Sequence, residues 1–325
     1  MEQANNHAPG AYTIYRAHIL MLGVVFVWGA TFVLIKGALG DISPLLFNLL
    51  RMLLATACLA LVYRRHLRSL TRRAWVSGAV VGACLAIGYQ FQTAGLALTT
   101  PSKSAFLTGM VVVIVPLLST VPWLRLPGTH SPRWNVAIGA VLAFAGIVLL
   151  TSPPASGGFF SYNFTAVNLG DVLSIFCALG FALHVLALSH TSPRIPFQQI
   201  AVLQVGFCAM FMAVSTPMLE RSWFHLTPRL VFAIVLAAVL ATAAAFTIQS
   251  WAQQYLPPTH TALILALEPV FAWITAYVVL HERLGLRASV GAALILGAIG
   301  LTELIPSPVQ PTGHEGVPPE ETELL

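Results

Sequence analysis

Apolar positions in this chain come in long, nearly unbroken runs separated by short polar turns. Ten such runs fall at about residues 18–38, 44–63, 74–98, 102–123, 134–150, 169–189, 197–217, 228–251, 260–281 and 286–305. At about 1.5 Å rise per residue, helices of this length approach or exceed the roughly 30 Å hydrocarbon core of a bilayer. The pattern predicts an all-α integral membrane protein with ten transmembrane helices.

A Pro-, Gly- and Ser-rich stretch, residues 152–168, separates the first five runs from the second five and reads as a linker between two halves, 18–151 and 169–305. Residues 1–17 form an N-terminal tail with no cationic start leading into a short apolar core and cleavage site, so no cleaved signal is expected. Residues 306–325, rich in Pro and Glu, hold too little apolar content to fold and are expected to be disordered.

The two halves also resemble each other. Sliding the third and fourth runs by 157 positions sets Tyr89 over Phe246, Gln92 over Gln249, Pro101 over Pro258 and Ala105 over Ala262. Five spans per repeat is an odd number, so the second half must enter the membrane the opposite way up. Such inverted repeats give two rocked states of one architecture, the geometric basis of alternating access.

Composition agrees with the pattern: 57% of residues are hydrophobic and only 8% charged, against roughly a quarter charged in soluble domains. The net charge of +5 does not point to nucleic acid, because the arginines cluster in short loops between apolar runs. Their expected neighbour is anionic lipid of the bilayer. With the N-terminus cytoplasmic, Arg16, Arg64, Arg65, Arg68, Arg72, Arg73, Arg125, Arg133 and Arg194 lie inside, while Lys103, Arg221, Arg229, Arg283 and Arg287 lie outside. That bias favours both termini in the cytoplasm. The four cysteines, Cys58, Cys84, Cys177 and Cys208, sit in apolar runs without metal-type spacing, so neither disulfides nor a metal site is expected.

The polar groups inside the runs are the candidates for chemistry. Glu268 stands in the middle of the ninth run and is followed by Pro269. A carboxylate at that depth costs on the order of 2.5 kcal/mol or more, so it should face a polar partner or a watered cavity. The proline should kink or loosen the helix beside it. Thr261, Glu268 and Thr275 recur every seven residues and stack on one face. A charge at a broken helix near the midplane is how solute sites in secondary transporters are built; the competing reading is a structural ion pair with a basic residue such as Arg51.

Arg51, about 10 Å into the second run, can hold either Glu268 or an anionic group of a solute in a forked geometry. Tyr89 and Gln92, one turn apart, together with Gln249 can offer hydrogen bonds to a solute from both halves or bond helix to helix. Trp28 is a candidate apolar or cation-binding wall. His184 is a candidate proton-coupling group beside Glu268, or a satisfied core histidine. Lys36 reads as a residue snorkelling to the headgroups. The small-residue spacings Gly78–Gly82 and Ala293–Gly297 read as close helix packing, with homodimerisation as the other use.

Several stretches resemble the drug/metabolite transporter superfamily in its ten-span branch of two EamA-type repeats. They are Trp28-Gly29-Ala30-Thr31-Phe32 with Lys36, Pro44 through Arg51, SKSAFLTGMVVVIVPLL from Ser102, and ALEPVFAWITAYVVLHERL from Ala266. The resemblance implies a multi-pass carrier of small organic solutes in an inner or plasma membrane, often an exporter, with both termini cytoplasmic. The sixth run, GDVLSIFCALGFALHVLAL, departs from the pattern by keeping neither the Trp-Gly pair nor the lysine of the first.

No GxxxxGK[ST] motif for ATP is present, so coupling is expected from gradients or exchange, with Glu268 alternating between protonated and ionised states. No cofactor is expected. An intramembrane lipid-linked enzyme would need a converging nucleophile and base, and neither HExxH nor GxSxG occurs. A channel would need a ring of repeated filter residues.

Overall fold

The computed structural model describes residues 11–124, 134–151, 167–191, 194–256 and 264–304. Almost all of them are helical, in order α1 (Ala11–Ala38), α2 (Pro44–Val62), α3 (Arg72–Leu98), α4 (Pro101–Thr108), α5 (Val111–Leu118), α6 (Trp134–Thr151), α7 (Leu169–Thr191), α8 (Phe197–Leu219), α9 (Pro228–Ala238), α10 (Ala245–Ala252), α11 (Glu268–Leu280) and α12 (Leu286–Leu304). A 3₁₀ turn, His66–Ser69, lies between α2 and α3, and a π-helical stretch, Val239–Ala244, joins α9 to α10. Extended pairing among the described residues is confined to a single bridge between Ile42 and Phe224.

Among the described residues seven segments are long and apolar enough to cross a membrane, and three shorter apolar helices, Ala137–Thr151, Glu268–Leu280 and Leu286–Leu301, accompany them. The outward faces are apolar as well, with Phe26, Leu53, Val141, Phe144 and Phe232 all exposed. In water such a surface would associate; in lipid it needs no cover. The chain is a multi-pass membrane protein.

The helix boundaries follow from local chemistry. Pro44, Pro101 and Pro228 open their helices, where a missing N–H costs nothing, and the Thr71, Thr100 and Thr227 hydroxyls cap α3, α4 and α9. His281 closes α11 in the left-handed region (φ 54°), which lets the Glu282 N–H reach back to the Ala276 carbonyl. Three of the expected spans are interrupted, the ninth by a turn at Ala266–Leu267. The fourth breaks at Gly109–Met110 between α4 and α5, and the eighth changes from α to π and back. The first helix already includes Ala11, seven residues before the expected edge at 18. The linker through residue 166 and the C-terminal tail lie outside the described residues.

The most extensive helix pairings join a helix from before the linker to one from after it: α3 with α7 and α8, α6 with α12, α1 with α11, and α2 with α8. Small residues make these approaches possible. A Cβ on Gly29 of α1 would sit 2.8 Å from the Ala272 backbone nitrogen of α11, and one on Gly180 would sit 2.7 Å from the Gly88 nitrogen of α3. Glycine at both places therefore sets the helix separation, as small residues do in membrane bundles.

Candidate functional site

Between α1, α2, α3, α4, α7, α10 and α11 lies a cavity into which all seven residues singled out from the sequence project: Trp28, Arg51, Tyr89, Gln92, His184, Gln249 and Glu268. Its central space is about 90 Å³, room for a handful of water molecules at about 10–15 Å³ each.

Glu268 reaches the cavity because the ninth span is broken. Ala266 and Leu267 form a turn, and α11 starts at Glu268 itself with Pro269 in its first turn. The expected loosening beside the acid is thus a break at the two residues just before it. At the head of a helix the proline is tolerated, and the helix dipole favours the carboxylate. The break in the fourth span sits alongside: a Cβ on Gly109 would lie 2.6 Å from Pro269 Cγ, and Gly109 also lines the cavity. Thr275 spends its hydroxyl on the Phe271 carbonyl (2.8 Å), and Thr261, the third member of the expected polar stripe, lies outside the described residues.

Arg51 is 1% exposed, and no acidic side chain among the described residues lies within ion-pair distance of it. The structural pair with Glu268 does not form. Its Nε instead donates to Thr242 Oγ1 (2.9 Å), one terminal nitrogen donates to the Tyr89 hydroxyl (3.2 Å), and the guanidinium carbon stands 4.4 Å from the Tyr89 ring centre. Those neutral partners orient the cation without neutralising it. Thr242 belongs to the π-helical stretch, where its hydroxyl donates to the carbonyl five residues back, Ala237 (2.8 Å). The neighbouring Ala241 carbonyl accepts from the Trp28 indole (2.8 Å). One irregular turn thus fixes two cavity walls, a common use of π-bulges.

Gln249 is 2% exposed, and its Oε1 has no hydrogen-bond partner among the described residues, a cost of about 1–3 kcal/mol unless a ligand or water supplies one. Tyr89 and Phe246, matched in the repeat alignment, meet edge to face with ring centres 6.3 Å apart, and Phe181 closes on Tyr89 at 5.1 Å. His184 lines the cavity, but its Nε2 is held by Gln204 Oε1 (2.9 Å), as in a satisfied core histidine. Asn48 pins α2 to α3 by donating to the Tyr89 carbonyl (2.8 Å) and accepting from Thr93 (2.9 Å), which sets the face that presents Tyr89 and Gln92.

One end of the bundle is tied shut by polar contacts between the halves. Asp171, fully buried at the start of α7, accepts from Thr99 and lies 3.7 Å from Lys103 of α4. Glu282, after α11, accepts from the Ser102 backbone N–H (3.4 Å). Lys36 does not snorkel outward; its ammonium donates to the Leu96, Ala97 and Thr99 carbonyls at the end of α3 (2.8, 3.0 and 2.7 Å), where a cation complements the helix dipole. At the same end the Glu220 carboxylate caps α2 through the Leu45 and Leu46 N–H groups (3.0 and 3.1 Å).

Sequence reasoning missed Thr242, Phe246 and Phe181 as site residues, and Asp171 as a tie. Thr242 and Phe246 lie within an Ala-rich apolar run whose helical period is indistinguishable between α and π.

The EamA-like transporter family matches the chain twice, over residues 15–152 and 168–304. An uncharacterized transporter of Archaeoglobus fulgidus is 31% identical, with 91% of this chain and 88% of that protein covered. The uncharacterized transporter YvbV of Bacillus subtilis is 27% identical, with 88% and 91% covered. A protein of known crystal structure shares the fold with a TM-score of 0.62 at 21% identity, over 89% of this chain and 97% of its own. Two family matches filling both halves, a multi-pass helical bundle and a cavity between its broken spans lead to one conclusion: this chain belongs to the EamA-like transporter family of the drug/metabolite transporter superfamily.

Proposed function

We propose that the protein is a secondary active transporter that exports small organic solutes by alternating access at this cavity. In this reading its ten spans form two five-helix inverted repeats, 18–151 and 169–305, and the double family match supports that layout. It resides in the inner or plasma membrane with both termini cytoplasmic, in keeping with the distribution of its arginines. Trp28, Arg51, Tyr89, Gln92, Gln249 and Glu268 receive the solute. The observation that carries the reading is that a guanidinium, Arg51, and a carboxyl group, Glu268, line one cavity with no ion-pair partner among the described residues. A solute with an anionic or zwitterionic head and an apolar body fits those groups and the aromatic walls.

Glu268 is the coupling group, and His184, held by Gln204, is the secondary candidate for proton coupling. Exchange of a proton for solute at one carboxylate requires that site to open to either side in turn. In proteoliposomes loaded with labelled amino acids, nucleosides, sugars and cationic dyes, the wild type should show saturable, pH-gradient-driven flux and counterflow. Glu268→Gln should keep counterflow and lose the response to the pH gradient. Full gradient dependence in that variant would refute the coupling role, and non-saturating flux would indicate a channel.

A further inference from the structure

The loop between α2 and α3 carries Arg64, Arg65 and Arg68, and the first turn of α3 adds Arg72 and Arg73; all five are exposed, and no acidic side chain among the described residues lies within ion-pair distance of any of them. Like charges this dense repel one another unless an anion sits among them. The flanking residues fix the height of the cluster. Leu61 and Val62 end α2 at 70% exposure each, and Trp75 and Val76 open α3 exposed on the same side of the bilayer. These apolar surfaces must lie in lipid, with Trp75 at the interface where tryptophan concentrates, so the arginines lie at headgroup level.

The loop is also built rather than slack. His66–Ser69 forms a 3₁₀ turn, and Gln199, near the start of α8 in the other half, donates to the His66 carbonyl (3.1 Å) and to the Ser69 hydroxyl (3.4 Å). Tyr63 packs edge to face on both His66 and Phe197, with ring centres 5.9 and 6.3 Å apart. A ligand held by this loop therefore bears on a contact between the two halves.

We infer that the arginine loop is a binding site for the phosphate headgroup of anionic phospholipids, and that occupancy stabilises the junction between the loop and α8. Guanidinium groups grip phosphate oxygens in a forked geometry that lysine would not supply. Each basic residue at the surface contributes about fivefold in affinity for anionic lipid.

The test uses the full chain in nanodiscs of phosphatidylcholine alone or with one third phosphatidylglycerol, reading the thermal unfolding midpoint and the lipid retained in native mass spectrometry. The wild type should gain stability and retain phosphatidylglycerol. Arg64→Gln/Arg65→Gln/Arg68→Gln should lose both by about fivefold in affinity per arginine removed, while Arg221→Gln, in a loop at the opposite end, should behave as wild type. Gln199→Ala should keep the retained lipid but lose the gain in midpoint. Inorganic phosphate added to phosphatidylcholine discs should not substitute. An equal phosphatidylglycerol shift in wild type and triple variant overturns the assignment, as does the absence of any shift or retention in the wild type. A shift that appears only after removal of residues 306–325 gives the site to that acidic tail and equally overturns it.

Discussion

At the scale of single residues, the site depends on a cation that is oriented but not neutralised. Arg51 shares its donors between Thr242 and Tyr89 and lies over the Tyr89 ring. A lysine there keeps the charge but cannot reach both partners in that planar geometry. Charge-assisted hydrogen bonds contribute about 1.5–3 kcal/mol each, so Arg51→Lys should raise the KM of the transported solute about tenfold to hundredfold with little change in maximal rate. A variant whose maximal rate falls while KM holds would assign Arg51 to the conformational step instead. The residues themselves were legible in the sequence because a charged or amide group in an apolar run is costly wherever it falls. Their partners were not: Thr242 stands 191 positions from Arg51, and nothing local marks it.

Among the elements, the irregular ones carry the site. The Val239–Ala244 π stretch presents the Ala241 carbonyl and the Thr242 hydroxyl to Trp28 and Arg51. Deleting one residue of this stretch should restore α geometry with Phe246 and Gln249 kept in nearly the same register, while the Ala241 carbonyl and the residue-242 hydroxyl leave Trp28 and Arg51. Such a variant should remain folded by its unfolding profile yet lose transport. Thr242→Val, which keeps shape and removes the acceptor, should reduce stability by about 1–3 kcal/mol, and Thr242→Ser should restore it. Regular spans were readable to within a few residues: α2 runs Pro44–Val62 against an expected 44–63, and α12 runs Leu286–Leu304 against 286–305. Proline and threonine at their ends supplied the punctuation. The break at Gly109–Met110 and the π turn escaped notice because both fall inside continuous apolar sequence, where hydrophobicity has no period to interrupt.

For the whole molecule, the polar tie of Lys103, Asp171, Thr99, Glu282 and Ser102 joins the halves at one end. If this end opens during transport, those contacts must separate. Lys103 is partly exposed, so its pair with Asp171 is discounted to about 1 kcal/mol, or about fivefold in the population of an opened state. With Cys58, Cys84 and Cys208 replaced by Ala, Cys177, which packs on Thr108 of the cavity wall, reports that opening. Lys103→Gln should speed its reaction with a small charged thiol reagent about fivefold, and a Lys103→Asp/Asp171→Lys exchange should slow it again. An unchanged rate in Lys103→Gln would mean the tie is static.

Because α3 lies on α7 and α8, α6 on α12, and α1 on α11, neither half owns a core of its own. Expressed as two polypeptides cut within residues 152–166, each fragment should be degraded alone, yet the pair made together should copurify as a 1:1 complex. The gene could thus be split at its linker into two mutually dependent cistrons, with inheritance of either one alone leaving the cell nothing it could assemble.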